Sequence, residues 1–263
     1  MGDARRRRLA GARVVPLVGP AAPRSLSKLV VPAGPGLPSR EAALAALAVA
    51  EAVRERVRER LVRASATGRA DRVLEAIEAI GEECVGLFEH ALAAELASDA
   101  RRRGDMAGIA CRRGCAFCCH VAVDVTPLEA IRIVQHQRGA RRPAPEPAPD
   151  ARHAPCPLLV EGSCSVYAIR PFACRSLFSS DAKACEAGFA TASAVLVPSL
   201  DWPRYIACGY ITGEIAALDD LGLASHLVEL RQALTLMLGD AGVLPRWLAG
   251  EDVFPRRAVA SVG

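Results

Sequence analysis

The sequence predicts a mainly α-helical protein in which helices flank an irregular cysteine-rich region carrying one or two short strands. Three observations lead there. Ala, Leu, Glu and Arg dominate the chain just after residue 38, and these residues lose little freedom on entering a helix. Apolar residues recur at three- and four-residue spacing over 71–96 and again over 223–238. Between these stretches lie eight of the ten cysteines, Cys111, Cys115, Cys118, Cys119, Cys156, Cys164, Cys174 and Cys185, among glycines and prolines that oppose regular structure. Four regions follow: a basic tail over 1–38, a helical hairpin over 39–105, a cysteine-cluster region over 106–200, and a helical region over 201–263 that packs on it.

The tail is rich in Arg, Pro and Gly and is expected to be disordered. Arg5 to Arg8 resemble the start of an export signal, but Arg13, Pro16 and Pro20 interrupt the apolar stretch such a signal needs, and the twin-arginine pattern is poor. A cytoplasmic location is the expectation. Ser39 caps a first helix that runs to about Leu61–Ala64. A second begins near Asp71, with Val73, Ile77, Ile80, Cys84, Leu87, Phe88 and Leu92 on one stripe. On that stripe Cys84 reads as a small buried hydrophobe. The two helices form an antiparallel hairpin that turns at Gly68.

Beyond Gly104 and Gly108 the first cysteine group reads Cys-Arg-Arg-Gly-Cys-Ala-Phe-Cys-Cys. Val121, Val123 and Val125 then alternate as in a short strand. Thr126-Pro127-Leu128-Glu129 has the form of a helix start, with a threonine cap, proline in the first turn and a glutamate to close a capping box, and that helix should reach about His136. The five prolines of 141–155 argue against regular structure there. After the second cysteine group, Val195–Leu200 suggests a strand and Asp201-Trp202-Pro203 a helix start. Leu223, Leu227, Leu230, Leu234 and Leu238 mark a last helix capped near Ser225 and ending at Gly239. Trp247 and Phe254 should pack the end of the chain onto the domain.

The formal net charge of +4 implies no polyanionic partner, aromatic residues at 4% are too sparse for a base-stacking platform, and no run of 18 apolar residues occurs. Neither nucleic acid nor a membrane is expected as a partner. Clustered thiolates instead bind zinc and iron-sulfur clusters strongly. A disulfide framework is the competing reading. A chain of 263 residues, 51% hydrophobic, does not need such staples, and the adjacent pair Cys118-Cys119 would need two distant partners within one tight turn.

The run C-x3-C-x2-C-C, followed by C-P-x-L and G-x-C-x-x-Y-x-x-R-P-x-x-C-R, resembles the YkgJ-type cysteine-cluster proteins, whose shared domain is described as zinc- or iron-chelating. The likeness covers about residues 108–187. It implies that all eight cysteines are metal ligands, and it maps the family's Tyr, Arg-Pro and trailing Arg onto Tyr167, Arg170, Pro171 and Arg175. Cys84 and Cys208 fall outside it. Arg170 and Arg175 flank Cys174, and as permanent cations they can offset cluster charge and donate hydrogen bonds to sulfur. Tyr167 reads as packing. His120 follows Cys119 and is a weaker ligand candidate than the thiols; His90, His153 and His226 are weaker still.

Three cysteines on one loop suit an iron-sulfur cluster better than zinc, because only Cys115-x2-Cys118 has the spacing of a zinc knuckle. Zinc stays open as the alternative. As a binding protein the chain would carry electrons, handle metal or sense redox state, with a redox or metal-delivery protein as partner. Whether it is an enzyme is left open by the residues. Cys111-x3-Cys115-x2-Cys118 matches the loop of radical S-adenosylmethionine enzymes, but the alternating strands and helices that should follow are missing. Relatives of the cysteine domain include flagellin lysine-N-methylases, which would imply methyl transfer, yet no glycine-rich cosubstrate loop is visible here.

Overall fold

The structure, a computed structural model, describes residues 14–19, 26, 40–140, 154–191 and 197–255. It is mainly helical, as expected. Helix α1 (Arg40–Ser65) and helix α2 (Ala70–Ser98) form the hairpin, and helix α3 (Ala100–Ala107) leads into the cysteine region. There follow a 3-10 turn (Phe117–His120), strand β1 (Asp124–Val125), helix α4 (Pro127–Gly139), strands β2 (Leu159–Val160) and β3 (Ser163–Cys164), and a second 3-10 turn (Tyr167–Ile169). Helices α5 (Phe172–Arg175), α6 (Ala182–Thr191) and α7 (Asp201–Asp220), strand β4 (Val228–Glu229), and helices α8 (Leu230–Gly239) and α9 (Val243–Leu248) complete the described residues. Two antiparallel strand pairs form, β1 with β4 and β2 with β3.

The hairpin turns at Gly68, whose φ of +67° is a left-handed conformation that costs a side-chain-bearing residue energy. The tail expected to be disordered contributes a packed segment: Val14 and Leu17 are buried, Val14 N–H donates to Gly68 O at 3.0 Å, and Leu17 N–H donates to Ser65 Oγ at 2.9 Å. Two apolar side chains and two hydrogen bonds to the turn tie this stretch down, which a composition rich in Arg and Pro conceals. The Ser39 cap, most of the loop over 141–155, His153, and Val195 and Leu196 of the suggested strand lie outside the described residues.

Helix α7 runs against α1 at very short range. A Cβ on Gly213 would stand 2.6 Å from both Ala50 O and Val53 Cβ, and one on Gly209 would stand 2.8 Å from Ala46 O. Both glycines face α1 one turn apart, and their missing side chains let the two backbones meet. Beyond them Arg54 closes the interface on Asp220 through two hydrogen bonds, Nε to Oδ2 at 2.7 Å and NH2 to Oδ1 at 2.6 Å, with both side chains buried. Gly213→Ala is expected to force the helices apart and lower stability by about 1–3 kcal/mol, as overpacking does. Gly222→Ala would be strained for a different reason, its φ of +68°, but nothing stands near its Cβ. Urea titration of Gly213→Ala checks this: an unchanged midpoint would show that the two helices can separate at no cost.

One aromatic cluster joins the helices to the cysteine region. Phe172 of α5 stacks on Tyr210 of α7 at 5.0 Å and meets Phe88 of α2 edge-on at 5.6 Å. Helix α4 begins with the full capping box: Thr126 accepts from Glu129 N–H at 3.2 Å, and Glu129 Oε2 accepts from Thr126 N–H at 2.9 Å. The other oxygen, Oε1, accepts from Phe172 N–H at 2.6 Å. A single carboxylate therefore fixes the start of α4 and the start of α5, two residues before Cys174.

Three expectations are corrected. The leucine-patterned helix α8 starts at Leu230 with Glu229 as its cap, not near Ser225, because Val228–Glu229 is drawn out as β4 against β1. Leu87 is 41% exposed rather than on the buried stripe, although its neighbours Cys84 and Phe88 are fully buried. The strand after the cysteines is two residues long, and Val121 is exposed.

Candidate metal centre

The first cysteine loop is shaped by short backbone turns. Cys115 N–H donates to Arg112 O at 3.0 Å around Gly114, whose φ is +90°, and Cys119 N–H donates to Ala116 O at 2.9 Å at the start of the 3-10 turn. Its outer end is held by Ser179. Ala110 N–H donates to Ser179 O at 2.8 Å, Ser179 N–H donates to Cys111 Sγ at 3.1 Å, and Cys185 Sγ–H donates to Ser179 Oγ at 3.3 Å. Asp181 caps α6 through Lys183 N–H and Ala184 N–H, which orients the helix that carries Cys185. One serine thus joins Cys111 to Cys185 across 74 residues of chain.

The second loop is a two-residue hairpin. Glu161 and Gly162 both have positive φ, +48° and +73°, as the tight turn between β2 and β3 requires. This places Cys164 opposite Leu159, while Leu159 N–H donates to Cys156 O at 2.9 Å. Cys156 N–H in turn donates to Cys119 O at 2.6 Å, so the hairpin is stitched to the first loop at the adjacent pair. Leu158, Val166 and Phe172 are buried and anchor this half of the region in the core.

The thiols sense one another in two neighbourhoods that meet at Cys118. Burial raises the Cys111 thiol above its ordinary value, Ser179 N–H partly offsets this, and Cys118, Cys115 and Cys185 raise it further. The hydrogen bond donated by Cys118 lowers Cys119, while Cys156, Cys174 and Cys164 act on it in the opposite direction. Burial raises Cys174, and Cys118, Cys156 and Cys164 add to that. Burial also raises Cys156. Cys118 is raised first by its hydrogen bond to Cys119 and then by burial. As whole residues Cys118 is exposed and the other seven are half-buried, while the Cys118 thiol itself is turned inward enough for burial to raise it. Among the described residues no group of three or more His, Cys, Asp or Glu side chains is set so that it could hold a metal ion as it stands.

Arg170 and Arg175 differ in their surroundings. Arg170 lies over the Tyr167 ring at 4.0 Å, favours the charged form of Cys118, and has a buried Nε without a hydrogen-bond partner among the described residues. Arg113 approaches the same ring at 5.8 Å, so Tyr167 serves as a platform for two cations. Arg175 instead reaches Glu89 of α2 at 2.8 Å through NH1 and the Ala168 carbonyl through NH2. His120 Nδ1 lies 3.1 Å from Ala116 O, and its ring packs on Phe189 at 4.5 Å. Cys84 is fully buried, and burial holds its thiol neutral.

Three functional positions escaped sequence reasoning. Ser179 carries no signal, since its role depends on a fold that brings it to Cys111. Glu129 is legible as a capping residue but not as the anchor of α5. Cys208 of α7, set apart from the eight cysteines in sequence, lines one cavity together with Cys118 and Cys174.

The donor set suits a thiophilic metal. Seven of the eight thiols are drawn partly out of solvent, a backbone N–H already points at Cys111 Sγ, and the unpartnered Arg170 Nε would find an acceptor in anionic sulfur. No curated protein and no solved structure matches the chain. Residues 110–190 match a family model, CxxCxxCC, described as "Putative zinc- or iron-chelating domain". Over those residues the match is to the same kind of cysteine-cluster domain that the cysteine spacing resembles.

Proposed function

We propose that the eight cysteines bind metal as two sets of four, Cys111, Cys115, Cys118 and Cys185 in one, and Cys119, Cys156, Cys164 and Cys174 in the other. What supports this is the hydrogen bonding: Ser179 bridges Cys111 to Cys185, while Cys156 N–H donates to Cys119 O beside the hairpin that carries Cys164. The mutual effects of the thiols follow the same division, except that Cys118 also acts on Cys174 and so stands where the two sets meet. Cys118 and Cys119 touch through one hydrogen bond, and they divide between the sets because Cys118 acts on Cys111 while Cys119 feels Cys156, Cys164 and Cys174. Arg170 balances thiolate charge near Cys118. Arg175, tied to Glu89, acts by holding α5 and hence Cys174 against α2.

An iron-sulfur cluster is the favoured cofactor, because the first loop offers three closely spaced cysteines to one set, as cluster proteins do. Such a cluster supplies one-electron chemistry, so the role is electron transfer, metal handling or redox sensing with a protein partner. Zinc is the second reading, supported by the Cys115-x2-Cys118 knuckle and by four thiols per set.

Protein purified without oxygen is expected to be brown, with visible charge-transfer absorbance and iron and sulfide in matching amounts. Colourless protein with stoichiometric zinc would replace the iron reading. Cys118→Ser and Cys119→Ser should then alter different parts of the metal signal. Identical spectra and identical metal loss from both would show that the two cysteines serve one centre.

A further inference from the structure

A cavity of about 230 Å3 lies between the chain at 121–124, the α5 segment and α7. Its lining contains one thiol from each proposed set, Cys118 and Cys174, and a third, Cys208, that belongs to neither. Arg204, Ala207, Cys208 and Ile211 come from α7 at the spacing i, i+3, i+4 and i+7, so one face of this helix forms a wall. The volume exceeds what a bare ion needs and admits a small organic molecule. Cys208 is buried among apolar neighbours, and burial pushes its thiol up to about 11, so at neutral pH it is a protonated, weakly nucleophilic group. Its value in that position is as a soft donor facing two other soft donors.

We propose that this cavity is the loading port of the metal centre, that its ligand is a thiophilic metal ion carried as a complex with small thiols, and that Cys208 is the transfer thiol. This rests on the eight-cysteine reading above. In the exchange, a bond from the metal to Cys208 sulfur forms as a bond from the metal to a small thiolate breaks, and the Cys208 proton goes to the departing thiolate. A second exchange of the same kind passes the ion to Cys118 or Cys174 and returns the proton to Cys208. No oxidation state changes in either step. The cavity leaves space for the small thiol to depart, and Arg204 in its wall favours the approach of an anionic thiolate complex.

The test is a time course of metal uptake by the full chain, metal-free and reduced, under anaerobic conditions. Co(II) presented as its complex with 2-mercaptoethanol is the probe, followed by cobalt-thiolate absorbance, with Co(II) alone in a parallel arm. Cys208→Ser and Cys208→Ala are expected to slow uptake from the complex about tenfold, corresponding to ~1.4 kcal/mol of barrier. Final absorbance and circular dichroism should match wild type. Ala207→Leu, which narrows the cavity and keeps the thiol, should also slow uptake from the complex more than uptake of Co(II) alone. Wild-type rates in both Cys208 variants would overturn the loading port and leave the eight-cysteine reading standing. A wild-type chain that takes up no cobalt would overturn both, and a lower end point in the Cys208 variants would make Cys208 a permanent ligand instead.

Discussion

Stripping metal from the anaerobically purified protein should open the bonds after Arg112, Arg113 and Lys183 to trypsin while the bond after Arg175 stays protected and most helical circular dichroism remains. Coordination of a structural metal is worth on the order of 10 kcal/mol, as much as the whole stability of many domains, so residues held chiefly by metal must loosen without it. The two halves of the cysteine region differ in what else holds them. The loop over 111–118 and helix α6 bury little: Arg112, Arg113 and Lys183 are exposed, and the ties between the two segments are Ser179 and the packing of Phe189 on Phe117 and His120. The half over 156–175 is fixed independently of metal by buried Leu158, Val166 and Phe172, by the Glu129 to Phe172 hydrogen bond, and by the Arg175 to Glu89 ion pair. The helical body buries Val73, Ile77, Ile80, Leu234, Met237 and Trp247 and should persist. Cleavage measured by mass, before and after chelation, decides the matter. Equal protection of both halves without metal would show that coordination does not organise the first loop, and loss of all helical signal would show that the body has no stability of its own.

What could be read in the sequence was what depends on near neighbours along the chain. The start of α4 needs only Thr126, Pro127 and Glu129, whose mutual hydrogen bonds span three residues, and every part of that capping box is present. The Gly68 turn and the Asp201 start of α7 are similarly local. Helix α8 was misplaced for the complementary reason. Leu223 and Leu227 continue the heptad-like spacing of Leu230 and Leu234, but the pairing of Val228 with Val125, a hundred residues away, draws that stretch out of the helix. The eight cysteines were legible as a set because thiol chemistry is carried by residue type. The proposed partition was not, because it rests on the Glu161-Gly162 hairpin and on Ser179 bridging Cys111 to Cys185. Arg175 illustrates the same limit: its place beside Cys174 suggested sulfur as a partner, while the fold presents it with Glu89.

Helix α7 also carries a buried acid that should make the protein lose stability as pH rises. Glu214 is 2% exposed, and its Oε2 accepts the Thr126 hydroxyl proton at 2.5 Å. Burial first, and the nearby Glu129 carboxylate second, push its pKa up from 4.5 to about 8. Burial raises Glu129 as well, against the two N–H groups that favour its charge. At pH below 4.5 both the folded and the unfolded chain hold the Glu214 proton, and its ionisation costs nothing. Between about 4.5 and 8 the unfolded chain releases the proton while the folded chain keeps it, so stability falls with rising pH. Above 8 the folded chain must bear the buried charge and the loss is complete. A shift of this size corresponds to roughly 5 kcal/mol, an upper bound because the two carboxyls share the effect. Glu214→Gln keeps an acceptor for Thr126 and removes the charge, so urea midpoints of the metal-loaded variant should exceed wild type by an amount that grows from pH 5 to pH 8. Comparing the two chains at each pH cancels the cysteine and metal contributions common to both. A difference independent of pH, or one that shrinks toward pH 8, would mean that Glu214 is ionised in the folded protein with its charge compensated, a role open to Arg132, which favours its charged form.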